Sequence, residues 1–383
     1  MPTRLRFIDA TRALFLIQGV IYHSLLPFHE AKQWVVSNPE AVSGISALTD
    51  WMHSFRMHGF FLISGLVSWR LLQQGDISAF LLARLRRVLI PLVVVLLTVS
   101  VLERSLIVQH HSDWGWGVST VSPLYTGALW FLVCLMIFTF SLPVARAVVA
   151  SSRMIRLVEL WSPAQVERSL PILFAAGSIA VVLLARTAPD WWYARQFGII
   201  EPAGLLMYGG YFMAGALLAR TGHTSLLATK PGILWWVAAT AGWVAIQAIS
   251  TASFNGAWAL STVLRNVYAI VALRLIFWGV EQIVQAGYSR WDALLVNASY
   301  TVYLLHQVVV VAVASMLAWM PWPPLVKIVI IIASAFLLPF VFHQFVVQRS
   351  SRLSFLLNGT TLSRNRVAVK PLAWRVGRRA RWN

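Results

Sequence analysis

The chain has 383 residues, of which 58% are hydrophobic and only 11% are charged, and its mean hydropathy is +0.71. A water-soluble domain of this size does not have such a composition, which is typical of a polytopic membrane protein. The formal net charge of +18 does not indicate nucleic-acid binding, because Lys and Arg fall on alternate connections between apolar stretches. The 19 Trp and 20 Phe fit apolar cores and interfacial belts better than a platform for stacking bases.

Apolar stretches of spanning length predict an all-α polytopic membrane protein with about ten transmembrane helices in one bundle. They lie near residues 8–28, 52–72, 88–108, 125–149, 170–186, 203–220, 232–250, 258–281, 295–319 and 325–347. The first stretch follows arginines, as in a signal peptide, but it is long, contains Arg12 and His23, and lacks a small-residue cleavage site. We therefore interpret it as the first span. The fifth and seventh stretches are the least polar and are expected to face lipid.

The basic residues predict that both termini are cytoplasmic, by the positive-inside rule. They cluster on every second connection: Arg4, Arg6; Arg84, Arg86, Arg87; Arg146, Arg153, Arg156, Arg168; Arg220, Lys230; Arg290. The exceptions are Lys32 and Arg195. We expect one transmembrane domain over residues 1–348 and a basic cytoplasmic tail over residues 349–383, lying on anionic headgroups.

Three kinds of site are not supported by the sequence. Cys134 is the single cysteine and lies in an apolar run, so neither an internal disulfide nor a cysteine cluster is expected. The usual His-x-x-x-His and Glu-x-x-His spacings are absent from the spans, and His110 and His111 fall in a loop, so no metal is expected. There is no Walker-type glycine loop, which makes ATP-driven transport a poor explanation.

Asp9, Arg12 and His23 lie on the first apolar segment, IDATRALFLIQGVIYH. Arg12 and His23 are eleven residues apart, so on a helix they share one side and differ in depth by roughly 16 Å. Asp9 and Arg12 are one turn apart, which fits a local salt bridge. Ionisable side chains inside a span are costly unless they face protein or a wet cavity. His23, which can take up and pass on a proton, is therefore a candidate catalytic base.

The second polar segment, HSFRMHGFFLISG, supplies His53, Arg56, His58 and Ser64 at the start of the second span. Interfacial snorkelling is one interpretation of such residues. The other is the mouth of a substrate cavity, in which Arg56 holds a carboxylate or polarises a carbonyl oxygen. We assign Arg56 as catalytic and the other three side chains as substrate-binding.

Two later segments carry further polar groups. ARLRRVLIP places Arg84, Arg86 and Arg87 at the start of the third span, where they fit either topology signalling or the binding of donor phosphates. In VNASYTVYLLHQ, Ser299, Tyr303 and His306 are spaced i, i+4, i+7 and share one helical face. His306 is then either hydrogen-bonded within its own bundle or part of the site.

With these residues in view, the chain resembles the membrane acyltransferase family 3, and within it the glucans biosynthesis protein C group. The first helix of that family carries Arg, ten residues, then His, which Arg12 and His23 match. Further matching segments follow in the same order over about the first 310 residues: HSFRMHGFFLISG, RLRRVLIP with Pro91, ALWFL with Trp130 and Phe131, YFMAGALLA with Gly215, and VNASYTVYLLHQ with His306.

The resemblance implies a ten-helix acyltransferase with a central pore, multi-pass in the bacterial inner membrane. It implies a cytoplasmic acyl-CoA donor, with succinyl-CoA favoured over acetyl-CoA, and a hydroxyl of periplasmic glucan as acceptor. By resemblance His23 is the catalytic histidine, and Arg12 with Arg84, Arg86 and Arg87 holds CoA. We add His306 to the catalytic group, and Trp130 and Tyr303 to the substrate-binding group.

Other functions stay open at this point. One is O-acetylation of a surface polysaccharide or a lipid-linked sugar, and another is transport or flipping of an anionic substrate. The chain shows no inverted repeat, which disfavours transport. Membrane lipid is an expected partner, nucleic acid is not, and a homo-oligomer is compatible with the sequence.

Overall fold

The structure, a computed structural model, describes residues 6–31, 34–110, 126–151, 159–194, 200–287 and 290–360. These residues form helices joined by short connections. In chain order the α-helices are α1 Arg6–Leu25, α2 Ile45–Gln74, α3 Ile77–Arg84, α4 Ile90–Leu97, α5 Val99–His110, α6 Trp130–Ser151, α7 Pro163–Ala185, α8 Pro189–Tyr193, α9 Pro202–Arg220, α10 Ile233–Ser250, α11 Ala257–Ala286, α12 Arg290–Leu317, α13 Pro324–Phe342 and α14 Ser351–Asn358.

Eight helical segments in the described part of the chain are long and apolar enough to cross a membrane. One of them, Ile77–Val108, combines α3, α4 and α5. The helices α1 and α2 have 20 and 30 residues, which is also enough to span a bilayer. A larger fraction of their residues is polar or charged than in the other eight, and both pack against α11. The protein is an all-α polytopic membrane protein, as the sequence predicts.

The lipid-facing interpretation of the fifth and seventh apolar stretches agrees with their burial. Only 17% of the residues in the apolar window of α7 and 6% in that of α10 are buried within the protein, against 50% for α11. A helix that is apolar all round but unburied needs an apolar solvent, and the bilayer supplies it. Both α7 and α10 pack against α11, so they lie at the periphery of the bundle and face lipid on most of their surface.

The closest helix packing is between α2 and α9, at Gly65 and Gly215. A Cβ placed on Gly65 would lie 1.8 Å from the carbonyl oxygen of Phe212, and one on Gly215 would lie 1.9 Å from that of Leu62. No side chain fits at either position, so the two backbones touch directly, as at small-residue contacts in membrane helices. This contact fixes α2, which carries Arg56, against the bundle.

The segment Ile77–Val108 is not one straight helix, and it begins eleven residues earlier than the apolar stretch indicates. A π-helical turn, Leu85–Leu89, separates α3 from α4 and contains Arg86 and Arg87. Pro91 lacks the N–H that would bond to the carbonyl of Arg87 four residues earlier. The Tyr300 hydroxyl of α12 donates to that carbonyl instead, at 3.0 Å. The arginines thus lie within the irregular turn rather than before the helix.

The C-terminal helix α14 packs against α4 and ends on the same turn. Gly359, at φ +61°, caps α14, and a Cβ there would lie 2.2 Å from the carbonyl oxygen of Arg86. Asn358 lies 3.2 Å from the hydroxyl of Thr301, which also contacts His343 at 2.7 Å. The first part of the expected tail is therefore packed on the bundle. The basic run from Arg364 onward lies outside the described residues, as do Lys32, His111 and Arg195.

Candidate active site

The structure brings His23 of α1 and His306 of α12 together. Their ring centroids are 5.2 Å apart, with the planes tilted by 55°. Tyr22 lies edge-on to His23 at 5.0 Å and stacks on the exposed His53 of α2 at 5.6 Å. Three helices thus contribute to one row of rings, which brings together His23 and His306, the two histidines assigned to the catalytic group.

The hydrogen bonds of His306 define its tautomer. Its Nδ1 lies 2.8 Å from the carbonyl oxygen of Tyr303 and 3.2 Å from that of Val302. A carbonyl oxygen only accepts, so Nδ1 carries the proton and donates it to the backbone. The buried Nε2 has no partner among the described residues and, on a neutral ring, bears a lone pair. His306 can therefore accept a proton or a hydrogen bond at Nε2.

Arg56 supplies the positive charge of this region. The side chain is 4% exposed, and its guanidinium carbon lies 4.3 Å from the centre of the Tyr22 ring, a cation–π contact. The guanidinium passes over Gly19, one helical turn before His23, where a Cβ would lie 3.5 Å from Nη1. A larger side chain at position 19 would reduce the space that the Arg56 guanidinium occupies, and Gly19 therefore lets Arg56 lie close to His23.

These three side chains share an unusual feature. Nδ1 of His23, Nε2 of His306, and Nε and Nη1 of Arg56 are all buried, and the described residues offer them no hydrogen-bond partner. A buried polar group without a partner costs about 1–3 kcal/mol. Four such atoms in one cluster are well suited to a polar ligand that supplies the missing partners.

The predicted residues Tyr303 and Trp130 lie beside the histidines but are engaged by the protein. The Tyr303 hydroxyl donates to the carbonyl oxygen of Ala128 at 2.6 Å, and its ring lies 6.1 Å from His306. Trp130 begins α6 and packs on Phe61 and Tyr208. Both shape the wall of the site, and Tyr303 also ties α12 to the start of α6.

At the opposite end of α1 from His23, arginines gather around Tyr300. Arg12 is exposed and lies within electrostatic reach of Arg84, Arg87, Tyr300 and Asp9. The Nε and Nη2 atoms of Arg84 are buried without a hydrogen-bond partner in the described structure, and its guanidinium lies 5.6 Å from the Phe80 ring. Unused guanidinium donors of this kind suit the phosphates of an anionic nucleotide.

Arg12, Arg84 and Arg87, three of the residues assigned to donor binding, therefore lie near one another. The backbone of Arg86 lies under Gly359, and its side chain is half-buried. A series of rings connects the arginine end with the histidines. Tyr300 stacks on Tyr303 at 6.4 Å, and Tyr303 lies 6.1 Å from His306.

His58 and Ser64 do not join this cluster. His58 packs on Tyr208 and Tyr211 of α9, at 5.1 and 4.7 Å, on a different side of α2 from His53. The physical reason is the five-residue spacing, which places the two histidines about 140° apart around a helix. Ser64 is half-buried beside Gly65, at the contact of α2 with α9. Their assignment as substrate-binding residues gains no support from the geometry.

Sequence reasoning missed Glu103, a buried acid on α5. Its carboxylate accepts a hydrogen bond of 2.6 Å from the side-chain amide of Gln307, the residue after His306. The pair ties α5 to α12 at the level of the histidine. A lone acidic residue in the apolar run VLERSLIV is the signal that could have identified it, because membrane-embedded carboxylates seldom lack a role.

Within the part of the chain that the structure describes, no group of three or more His, Cys, Asp or Glu side chains could hold a metal ion. Cys134 is buried and free.

Comparison with known proteins identifies the family of the chain. The family model described as acyltransferase domain, acyltransferase 3, matches residues 5–344. The chain belongs to the acyltransferase-3 family. It is 26% identical over 321 residues to Glucans biosynthesis protein C from Escherichia coli strain K12, which covers 78% of this chain and 80% of that protein. The same values hold for the protein of that name from strain SMS-3-5 / SECEC. No solved structure matches the chain significantly.

Membership of the acyltransferase-3 family makes the chain a membrane acyltransferase. The cluster of His23, His306 and Arg56 offers chemical groups that suit acyl transfer, namely an imidazole that can take up a proton and a cation that can stabilise a developing oxyanion.

Proposed function

We propose that the protein is a transmembrane O-acyltransferase that moves an acyl group, most favourably succinyl, from cytoplasmic acyl-CoA to a hydroxyl of periplasmic glucan, in the bacterial inner membrane. The observation that carries this proposal is the pairing of His23 with His306 beside Arg56, whose Nε and Nη1 have no hydrogen-bond partner among the described residues. A series of rings leads from this group to an arginine cluster at one end of the bundle. The relatives named Glucans biosynthesis protein C support the glucan acceptor.

Arg12, Arg84 and Arg87 fit the nucleotide end of acyl-CoA, because they combine several positive charges with buried, unused donors. Arg86 would add charge from the same turn. The thin thioester arm would then extend along Tyr300 and Tyr303 towards the histidines through a central pore. Both termini would be cytoplasmic, and the basic tail would lie on anionic lipid headgroups.

His23 would act as general base. It takes the proton of the acceptor hydroxyl as the oxygen attacks the thioester carbonyl, and the C–S bond breaks as the new C–O ester bond forms. The departing thiolate then recovers that proton from the imidazolium, so that the products are CoA and the acyl ester. His306 is well placed to hold the acceptor or to share the proton, since its Nε2 is the free nitrogen.

Arg56 would stabilise the negative charge that forms on the thioester oxygen during attack. Its two unused buried nitrogens also suit the free carboxylate of a succinyl group, which favours succinyl over acetyl as the donor. A covalent acyl-histidine is an alternative route, because imidazole itself can act as the nucleophile.

The test uses the purified full-length protein with succinyl-CoA or acetyl-CoA and a periplasmic glucan. Mass spectrometry should detect an increase of about 100 mass units for succinyl, or about 42 for acetyl, on the glucan, with release of free CoA. Glucan acetylation without succinylation would overturn the succinyl preference and favour O-acetylation. Substrate flux across proteoliposomes with neither product would overturn the enzyme assignment and favour a transporter.

A further inference from the structure

A second group of polar and aromatic side chains lies beyond His53, at the end of the bundle away from Arg12 and Arg84. Asp50 of α2 pairs with Arg265 of α11 at 3.8 Å, and the two side chains are 48% and 32% exposed. His53 lies within electrostatic reach of Arg265, and Tyr22 within reach of Asp50. The group is therefore continuous with the row of rings that contains His23.

An aromatic surface adjoins this charged pair. Trp51 is 39% exposed, and its indole N–H donates to the Tyr268 hydroxyl of α11 at 3.1 Å. On a helix Trp51 and His53 flank Asp50, at about 100° and 60° to either side. The carboxylate thus lies between one ring held by α11 and another stacked on Tyr22.

Stability alone does not account for this arrangement. An exposed ion pair at nearly 4 Å contributes little to folding. The Nε of Arg265 donates to the Ser261 hydroxyl at 3.3 Å, which leaves its Nη groups and the partly exposed Asp50 carboxylate to face a ligand. Because Asp50 and Arg265 nearly balance each other in charge, the pair is a poor binding site for a simple anion. Because both side chains are charged, it is also a poor binding site for a lipid chain. A neutral, polyhydroxylated molecule with flat apolar faces fits Asp50, Arg265 and Trp51 together. Pairs of hydroxyl groups can hydrogen-bond to the carboxylate or the guanidinium, and the apolar face of a sugar ring can stack on the Trp ring.

We propose that Asp50, Trp51, His53 and Arg265 form the acceptor-sugar subsite of the enzyme. This inference rests on the proposed function and adds the residues that select the acceptor. Asp50 lies six residues before Arg56, about 9 Å along the helix, which leaves room for a short sugar segment between the subsite and the reacting centre. A glucan chain bound on Trp51, Asp50 and Arg265 would extend past His53 and present one hydroxyl to His23.

The test measures initial rates of the full-length protein with a saturating acyl-CoA and a varied short gluco-oligosaccharide. Trp51→Ala and Arg265→Gln should each raise the KM for the oligosaccharide about tenfold, the usual effect of losing a stacking or charged contact, with kcat and the KM for acyl-CoA unchanged. Trp51→Phe should largely restore the acceptor KM, because it retains an aromatic face. Trp319→Ala is the matched control, since Trp319 is 81% exposed at the same end of the bundle.

The oligosaccharide's affinity is also measured by calorimetry without acyl-CoA, which separates the two proposals. Weaker binding in Trp51→Ala but not in Trp319→Ala supports the subsite even if the wild-type protein transfers no acyl group, a result that would reject only the proposed reaction. Unchanged acceptor affinity and KM in both subsite variants, while wild-type transfer is normal, would overturn the subsite alone. If a subsite variant lost affinity for the acceptor and for acyl-CoA equally and had a lower melting temperature, its residue would have a structural role, and the subsite proposal would be overturned as well.

Discussion

The two ends of the polar row differ in the balance of their charges. At one end Arg12, Arg84 and Arg87 lie within electrostatic reach of one another, with Asp9 as the acid within reach of Arg12. At the other end a single arginine is offset by Asp50, next to an exposed Trp51. A cluster of three arginines with one nearby acid keeps a net positive charge and suits a polyanion, whereas a balanced pair beside an aromatic ring suits a neutral molecule. The difference is what the proposed function requires, with an anionic donor at one end and a neutral acceptor at the other.

His23 and His306 lie between these ends, and the comparison predicts that only residues at this meeting point act on both substrates. A residue at the arginine end should change the kinetics of the acyl donor alone, and a residue at the Asp50 end those of the acceptor alone. The predictions below test that separation.

The largest expected effect comes from His23→Ala. Loss of a general base lowers turnover by about 10²–10⁴-fold, and the substitution should do so without changing the affinity for either substrate, because recognition lies at the two ends. Transfer rates and equilibrium binding of acyl-CoA measure the two parts. His223→Ala, in the short helix after α9, is a histidine control that should retain full activity. Normal turnover of the His23 variant would contradict the role of His23 as general base and the location of the reaction beside it.

Arg56→Gln should have the next largest effect. Removing a donor to a developing oxyanion reduces kcat by about 10²–10³-fold, and that loss should be similar for succinyl-CoA and acetyl-CoA. If Arg56 instead pairs with the free carboxylate of succinyl, the loss should be much greater for succinyl-CoA than for acetyl-CoA. The ratio of kcat/KM for the two donors in the variant therefore measures which role dominates. An Arg56→Gln variant that retains wild-type activity with both donors would exclude both roles.

Arg84→Ala should have a moderate effect that is confined to the donor. Loss of one charge-assisted contact to a phosphate raises the KM for acyl-CoA about tenfold, leaves the acceptor KM unchanged, and weakens the salt dependence of donor binding. Arg349→Ala provides the control, because Arg349 is exposed and its guanidinium lies 5.3 Å from the Phe345 ring. A change in acceptor KM for the Arg84 variant would contradict the separation of the two ends.

Much of this architecture follows from the sequence. Span length and hydropathy locate the helices, and the period of the α-helix places Arg12 and His23 on one face of α1. The same periodicity places His53 and His58 on different sides of α2, although the sequence gives no reason to prefer either one as a substrate-binding residue. Because helical periodicity specifies faces but not neighbours, the contact of His23 with His306, on helices far apart in the chain, required the three-dimensional structure.

Helical periodicity cannot predict other features, because they depend on contacts between segments that are distant in the chain. The π-helical turn at Arg86 and Arg87 is explained by a contact from α12, because the Tyr300 hydroxyl donates to the Arg87 carbonyl that Pro91 cannot bond to. Glu103 was detectable in principle as an acid in an apolar run, but its partner Gln307 was not. Sequence therefore identifies the polar residues of the site more readily than the contacts that hold them.

The smallest predicted effect concerns Glu30, in the connection between α1 and α2, which caps the helix that carries the acceptor end. Its carboxylate accepts hydrogen bonds from the Ser46 hydroxyl and from the backbone N–H groups of Gly44 and Ser46, the latter two at 2.7 Å. These bonds, above all that from the Ser46 side chain, lower the pKa of Glu30 from 4.5 to about 2. A lowered pKa means that the cap stabilises the start of α2 above pH 4.5 and is lost as the pH falls towards 2. Hydrogen exchange at Gly44 and Ser46 should therefore be faster in Glu30→Gln than in the wild type at neutral pH, and the two should converge on acidification. A difference that persists near pH 2 would mean that the carboxylate charge is not what holds this end of α2.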